Sequence, residues 1–168
     1  LCGRFGDTWF APWRRVIRYE HKRYRGALLD LTLNATGFLA TFHNDPDSVA
    51  HFAWVERLTL TELSNAQVEP VLQALLQIRD LSALILHSPF VSSQRTPQVS
   101  DWRRWRLHEM TYLRELSLGD GMLDTAGMLA ALRAGYMARL QKLALPVRQV
   151  DDDLAAALCD PTTTPALR

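Results

Sequence analysis

Residues 113–118 read Leu113-Arg114-Glu115-Leu116-Ser117-Leu118, with apolar residues at the first, fourth and sixth positions. The same six-residue pattern occurs five times in this chain of 168 residues. Its copies begin at residues 28, 55, 81, 113 and 140, so successive starts lie 27, 26, 32 and 27 residues apart. One copy would mean little in a leucine-rich chain, but five copies at near-constant spacing indicate an internal repeat.

Each copy alternates apolar with variable residues, which predicts a short β-strand that is buried on one side. A helical pattern follows the second copy, where Val68, Val71, Leu72 and Leu75 have the spacing of one helix face. Pro70 fits this helix only near its first turn, because proline lacks the backbone N–H that later turns use. Each repeat is therefore predicted to be a strand followed by a helix.

Other helices are predicted after the remaining strands. One is expected to begin at Asp45-Pro46, as its N-cap and first residue. Another follows the turn signal Gly119-Asp120-Gly121. The acids of Asp151-Asp152-Asp153 suit the start of the last helix better than a cation site. The expected apolar faces are Leu123, Ala126, Ala130 and, less regularly, Leu129 in one helix, and Leu154 and Leu158 in the last.

A strand and a helix in about 27 residues are typical of leucine-rich repeats of the ribonuclease-inhibitor-like kind. Such repeats stack into a solenoid with a curved parallel sheet inside and helices outside. The sequence therefore predicts an α/β leucine-rich-repeat solenoid, with five repeats over residues 27–160. The third repeat is longer by about five residues, and its excess falls in residues 88–100, a polar stretch with two prolines that is typical of a protruding loop.

The first 26 residues differ from the rest in charge. Residues 1–26 hold seven Lys and Arg against two Asp and Glu, whereas the whole chain has a formal net charge of +1. Trp9, Trp13 and Ile17 recur at every fourth position, which predicts a helix that caps the first repeat. A basic docking face for an acidic partner is the alternative, and capping and docking can coexist on opposite sides of one helix.

The last eight residues, 161–168, are interpreted as a tail or as the start of a further repeat. Leu167 lies 27 residues after Leu140, which is where a sixth strand would begin. We therefore hypothesise that the sequence is a window from a longer solenoid, the alternative being a frayed natural end after Arg168.

A family resemblance covers nearly the whole chain. Four segments that carry the resemblance follow one another along the chain. They are Gly6-Asp7-Thr8-Trp9-Phe10-Ala11-Pro12, the basic aromatic residues 13–24, Arg25-Gly26-Ala27-Leu28-Leu29-Asp30-Leu31-Thr32-Leu33, and Ala35-Thr36-Gly37-Phe38-Leu39. This order resembles bacterial leucine-rich-repeat proteins that carry a repeat-companion domain, although their upstream helical part is absent. The resemblance implies an α/β solenoid and protein binding, and it carries over no catalytic residue.

The variable strand positions are predicted to line the concave face of the sheet in three rows. Neighbouring strands lie ~4.8 Å apart, so residues of one row can touch. Row one is Asp30, Arg57, Ala83, Glu115 and Lys142; row two is Thr32, Thr59, Ile85, Ser117 and Ala144; row three is Asn34, Thr61, His87, Gly119 and Pro146.

Charges in row one are expected to pair, Asp30 with Arg57 and Glu115 with Lys142. One interpretation is a self-satisfied ladder that contributes little stability. The other is a mixed polar surface for a protein partner, since no single sign of charge suggests a groove for a polyanion. The candidate protein contacts on this face are Asp30, Thr32, Arg57, Thr59, Ile85, His87, Glu115, Ser117 and Lys142.

A second candidate surface combines the long loop with a Trp-Arg run. Tryptophan and arginine are enriched at protein interfaces and also contact nucleic acids. The alternative is an outer helix whose tryptophans face the core and whose arginines face solvent. The candidate residues are Phe90, Arg95, Trp102, Arg103, Arg104 and Arg106.

Catalysis finds little support in the sequence. The five histidines are scattered, none has a metal-ligand spacing with Cys or another His, and no glycine-rich loop cradles a phosphate. No catalytic residue, metal or cofactor is therefore predicted. The two cysteines, Cys2 and Cys159, are expected to be reduced thiols of a cytoplasmic protein, and no apolar run is long enough for a membrane span.

The sequence therefore predicts a non-enzymatic protein-interaction module, scaffold or regulatory subunit that presents a rigid curved surface to another protein. The alternative is a nucleic-acid-associated module that uses the Arg and Trp patches, and a third is an enzyme whose catalytic part lies outside this chain. Salt separates the first two, because phosphate contacts weaken steeply as salt rises.

Overall fold

The computed structural model describes residues 24–25, 28–44, 48–53, 55–78, 80–87, 107–119, 124–146, 148 and 150–167. In this part of the chain, strands alternate with helices. The strands are β1 Tyr24–Arg25, β2 Leu28–Asn34, β3 Val55–Thr61, β4 Ala83–Leu86, β5 Glu115–Leu118 and β6 Lys142–Ala144. The helices are α1 Ala35–Asn44, α2 Ser48–Phe52, α3 Asn65–Leu75, α4 Thr125–Arg133 and α5 Asp152–Cys159, with a 3₁₀ turn at Leu107–Glu109.

The six strands form one sheet whose spatial order is the order of the chain. Strands β2 to β6 are parallel, and the two-residue strand β1 pairs antiparallel with β2. Parallel neighbours require a crossover between them. Helices α1 and α2 lie in the crossover from β2 to β3, α3 in that from β3 to β4, and α4 in that from β5 to β6. Residues 88–106 of the crossover from β4 to β5 lie outside the described part of the chain. The predicted α/β class and the parallel sheet are confirmed.

One side of the sheet forms the core together with the helices. Leu58, Leu84 and Leu116 occupy the fourth position of three repeats, and all three are fully buried. The residues that alternate with them, such as Thr59 and Ile85, remain partly exposed. We call this second side the open face, because no described element covers it.

Helix α3 has the predicted apolar face. Val71, Leu72 and Leu75 are buried in the core and Val68 packs against it. Pro70 is the exception, because α3 begins at Asn65 and the proline is the sixth residue instead of lying in the first turn. The helix forgoes one internal hydrogen bond there.

The predicted face of helix α4 is wrong. Ala126 and Ala130 are exposed, whereas Met128, Ala131 and Leu132 are buried. The helix begins after Asp124, whose carboxylate accepts the N–H of Gly127 at 3.1 Å as an N-cap does. Leu123 lies outside the described residues, and Leu129 is half-buried.

Helix α1 was not predicted as a helix. It follows β2 directly, and the side-chain oxygen of Asn34 accepts the backbone N–H of Gly37 at 2.6 Å, as an N-cap does. The helix start expected at Asp45-Pro46 lies outside the described residues. Helices α1 and α2 bring three aromatic rings together: the ring of Phe38 lies 5.0 Å from Phe42 and 5.3 Å from Phe52.

Helix α5 begins as predicted. The carboxylate of Asp151 accepts the N–H of Leu154 at 2.8 Å, and Leu154 is fully buried. After the helix, the hydroxyl of Thr164 donates to the carbonyl of Leu158 at 3.0 Å, which satisfies a group that a helix end leaves unpaired. Leu167 then packs against the core.

A short turn after α5 stabilises a carboxylate. The hydroxyl of Thr162 donates to Oδ1 of Asp160 at 2.7 Å, and the backbone N–H of Thr162 donates to the same oxygen at 2.8 Å. These donors, the hydroxyl first, hold the pKa of Asp160 below its ordinary value, because they favour the charged form. Their contribution to stability is present above the pKa of the unfolded carboxyl and is lost as pH falls through the folded pKa.

Replacing Thr162→Val is expected to raise the pKa of Asp160 toward its ordinary value, because the change removes the hydroxyl donor and keeps the backbone donor. An NMR pH titration of the Asp160 carboxyl carbon measures this. Thr163→Val is the matched control, since the Thr163 hydroxyl donates to the carbonyl oxygens of Ala157 and Asp160. An equal rise in the control would contradict the assignment to Thr162.

Candidate functional site

The open face presents the variable residues of the repeats in register. Asp30 pairs with Arg57, Arg57 with Ala83, Ala83 with Glu115, and Glu115 with Lys142, so row one crosses five strands. The register of β2 against β3 shifts between Leu29 and Asp30, just before the row begins. Row two is aligned in the same way, from Thr32 on β2 to Ala144 on β6. Rows one and two expected from the sequence are therefore rows of the sheet. Of row three, Asn34 and Thr61 are paired, and His87, Gly119 and Pro146 follow the ends of their strands.

The charged residues of row one form one connected network. Oδ1 of Asp30 lies 3.7 Å from Nε of Arg57, and Nζ of Lys142 lies 3.9 Å from Oε2 of Glu115, so both predicted pairs are present. A third pair joins them. Nη1 and Nη2 of Arg57 donate to Oε1 and Oε2 of Glu115 at 3.1 and 3.0 Å. This bidentate pair has the shortest contacts of the network, and such geometry is the stronger kind of ion pair.

The Arg57–Glu115 pair spans a whole strand. Arg57 lies on β3 and Glu115 on β5, and Ala83 of β4 lies between them in register. Ala83 is only 3% exposed although it belongs to the open face. Its methyl group leaves room for the guanidinium to reach across, and we infer that the ion pair covers it. The sequence analysis paired charges only between neighbouring strands and so missed this contact. The small Ala83 between Arg57 and Glu115 in row one is the sequence feature that could have predicted it.

Row two is short and mostly hydroxylic. Thr32, Thr59 and Ser117 are half-buried, and Ile85 is the one large apolar side chain among the row's described residues. Hydroxyls both donate and accept hydrogen bonds, so this row can bind polar groups of either kind. Together with Ala144 at its β6 end, the row forms a low strip beside the charges of row one.

Most residues of row three have a structural role. Asn34 caps α1, and the hydroxyl of Thr61 donates to the carbonyl of Leu33 at 3.4 Å. His87 is exposed, and Gly119 sits against it: a Cβ at Gly119 would lie 3.2 Å from Nδ1 of His87 and 3.2 Å from the carbonyl oxygen of Leu86. A side chain at residue 119 would therefore press on His87 and on the carbonyl oxygen of Leu86. His87 is the exposed residue of this row and so its binding candidate. Pro146 is buried.

A shallow recess lies away from the open face, between the turns that precede β5 and β6. His108, Tyr136 and Arg139 contribute to its lining, and the rings of His108 and Tyr136 stack at 5.0 Å. Its volume of about 200 Å³ is below the ~300–1,000 Å³ of typical small-molecule sites. Among the described residues, no three His, Cys, Asp or Glu side chains gather as metal ligands. The open face remains the candidate site.

The second surface expected from the sequence is outside the described residues. The candidate residues that lie outside the described part of the chain are Phe90, Arg95, Trp102, Arg103, Arg104 and Arg106. The same holds for the capping helix expected around Trp9, Trp13 and Ile17. The candidate site is therefore built from residues of the strands and from His87, which directly follows β4.

Breaking the Arg57–Glu115 pair is expected to have a measurable but modest effect on stability. A double-mutant cycle with Arg57→Met and Glu115→Gln should give a coupling energy of up to about 1 kcal/mol in urea unfolding, because both side chains are partly exposed. The Glu115–Lys142 cycle, with Lys142→Met, is the matched control and should give a coupling near zero, since Lys142 is 71% exposed and 3.9 Å away. Equal couplings would mean that the bidentate geometry adds nothing.

Comparison with protein-family models, with curated proteins and with solved structures found no match to this chain. The open face is therefore interpreted from its own geometry. Within the described ranges, no helix combines the length and the apolar character that crossing a membrane requires.

Proposed function

We propose that this chain is a leucine-rich-repeat solenoid, similar to bacterial repeat-companion proteins, that binds another protein through the open face. On this proposal it acts as a non-enzymatic scaffold or regulatory subunit in the cytoplasm. One observation carries the proposal: five parallel strands place the same repeat positions side by side, and the resulting rows of polar side chains are left uncovered by the described residues.

The rigidity and the mixed charge of the open face support protein binding. Its side chains stand on a hydrogen-bonded sheet, so little conformational entropy is lost when a partner docks. Row one alternates in sign, with Asp30, Arg57, Glu115 and Lys142 summing to no net charge. A polyanion needs a surface of one sign, and the open face lacks it among the described residues. Nucleic-acid binding stays the alternative, resting on the Arg-rich run of residues 103–106.

The proposal is tested by capture of partners from cells of the source organism with matched variants. Thr59→Arg combined with Ser117→Arg places two long side chains on the open face, whereas Ala130→Arg places one on the exposed side of α4. We expect the same protein to bind the wild-type chain and Ala130→Arg and to be lost from the double variant. A partner that all three bind equally would contradict an interface on the open face.

The nucleic-acid alternative is distinguished by salt. A labelled DNA duplex and a labelled single-stranded RNA are titrated with the full chain between 50 and 300 mM salt, for which phosphate contacts predict a loss of orders of magnitude in affinity. Tight, salt-sensitive binding that is unaffected by the Thr59→Arg, Ser117→Arg variant would overturn the protein-binding proposal in favour of that alternative.

A further inference from the structure

The two ends of row one differ from its middle. Arg57 and Glu115 satisfy each other through two short hydrogen bonds, at 3.1 and 3.0 Å. Asp30 and Lys142 meet this pair only at 3.7 and 3.9 Å, beyond hydrogen-bond length. Their side chains are 42% and 71% exposed. Among the described residues, the acceptors of Asp30 and the donors of Lys142 are thus the charged groups of row one without a short hydrogen bond, and they remain open to a partner.

We propose that the open face binds an extended protein segment that runs across the strands, with a basic side chain over Asp30 and an acidic side chain over Lys142. This inference rests on the proposed function and names the chemistry of the partner. The negative end of the row lies on β2 and its positive end on β6, so a complementary segment carries one charge of each sign.

The spacing of the strands sets the spacing of those charges. Asp30 and Lys142 are four strand intervals apart, which is roughly 19 Å at ~4.8 Å per interval. An extended chain advances ~3.3 Å per residue, so its two charges are expected about six residues apart. The middle of the segment then crosses the Arg57–Glu115 pair, which needs no further partner.

Row two favours an extended segment over a helix. An extended backbone has N–H and C=O groups that require partners, whereas a helix satisfies these groups internally. Thr32, Thr59 and Ser117 supply hydroxyls along the path, and each hydroxyl can donate or accept. Ile85, half-buried at the centre of the row, offers contact to one apolar side chain of the segment.

The test is selection of a displayed library of random twelve-residue peptides on the full chain. Peptides enriched on the wild-type chain are expected to carry one basic and one acidic residue about six positions apart. On Asp30→Lys the selection should favour two acidic residues, and on Lys142→Glu two basic residues. These same-sign variants give distinct outcomes whichever way the peptide runs. Glu69→Lys, on the exposed side of α3, is the matched control and should select the wild-type pattern.

Direct titration of an enriched peptide gives the second readout. Neutralising one end with Asp30→Asn or Lys142→Gln should weaken binding roughly two- to fivefold, the effect of one exposed ion pair. These neutral variants also test the proposal if a charge-reversed variant fails to fold.

The possible failures are distinct. Peptides that are lost on Thr59→Arg, Ser117→Arg but show no charge pattern would overturn this inference and leave the proposed function standing. An absence of any peptide whose binding the open-face variant abolishes would count against both.

Discussion

Replacement of Leu84 by alanine is expected to lower the free energy of unfolding by about 2–5 kcal/mol, as measured by urea denaturation. Leu84 is fully buried on β4, the central strand of the five parallel ones. Its side chain packs into the cluster that joins the sheet to the helices. The loss combines the transfer of the side chain from water with the cavity that a packed core cannot close completely.

Ile85→Ala is the matched control for Leu84→Ala. The two residues are neighbours on one strand, but Ile85 points to the open face and is half-buried. Its loss should be about 1 kcal/mol, because only part of its surface is removed from water. Equal losses at the two positions would contradict the assignment of one face to the core and the other to solvent.

Replacement of Phe38 by alanine is expected to cost about 3–5 kcal/mol of unfolding free energy. Phe38 is fully buried on α1, and its ring meets Phe52 of α2 edge-on, with the ring centres 5.3 Å apart. Aromatic pairs in this arrangement add ~0.5–1.5 kcal/mol to the burial of their surface. The change therefore removes both core volume and the ring contacts that hold α1 to α2.

Phe42→Ala controls for the loss of an aromatic ring as such. Phe42 stacks on Phe52 at 4.9 Å, but it is only half-buried. Its removal should cost about 1–2 kcal/mol. A cost at Phe42 that matches the cost at Phe38 would contradict the difference in burial between these two rings.

The strands were predictable because each is specified locally. A strand buried on one side needs apolar residues at alternate positions, and the repeats supply these at Leu58 and Leu60 as at Leu116 and Leu118. Alignment of the repeated pattern also predicts which residues lie side by side, so the pairing of Glu115 with Lys142 follows from their shared third position in the pattern.

The buried side of a helix was predictable only where its large apolar residues all lie on one side. In α3, large apolar residues such as Val71 and Leu75 lie on one side, so only that side can face the core. In α4, leucines and alanines occur on several sides, and only packing in the tertiary structure places Met128, Ala131 and Leu132 in the core. Helix α1 was missed because Gly37 weakens its helix propensity, while tertiary packing of Phe38 compensates.

By itself, the sequence determined the positions of the five parallel strands, their order and the residues in rows one and two, because these depend on period and spacing along the chain. The tertiary structure decided how those residues contact one another. Arg57 reaches Glu115 over Ala83, leaving Asp30 and Lys142 as the open ends of the row. That choice depends on side-chain length, the volume of the residue between and the favourable geometry of a bidentate pair, and these act across strands that are far apart in sequence.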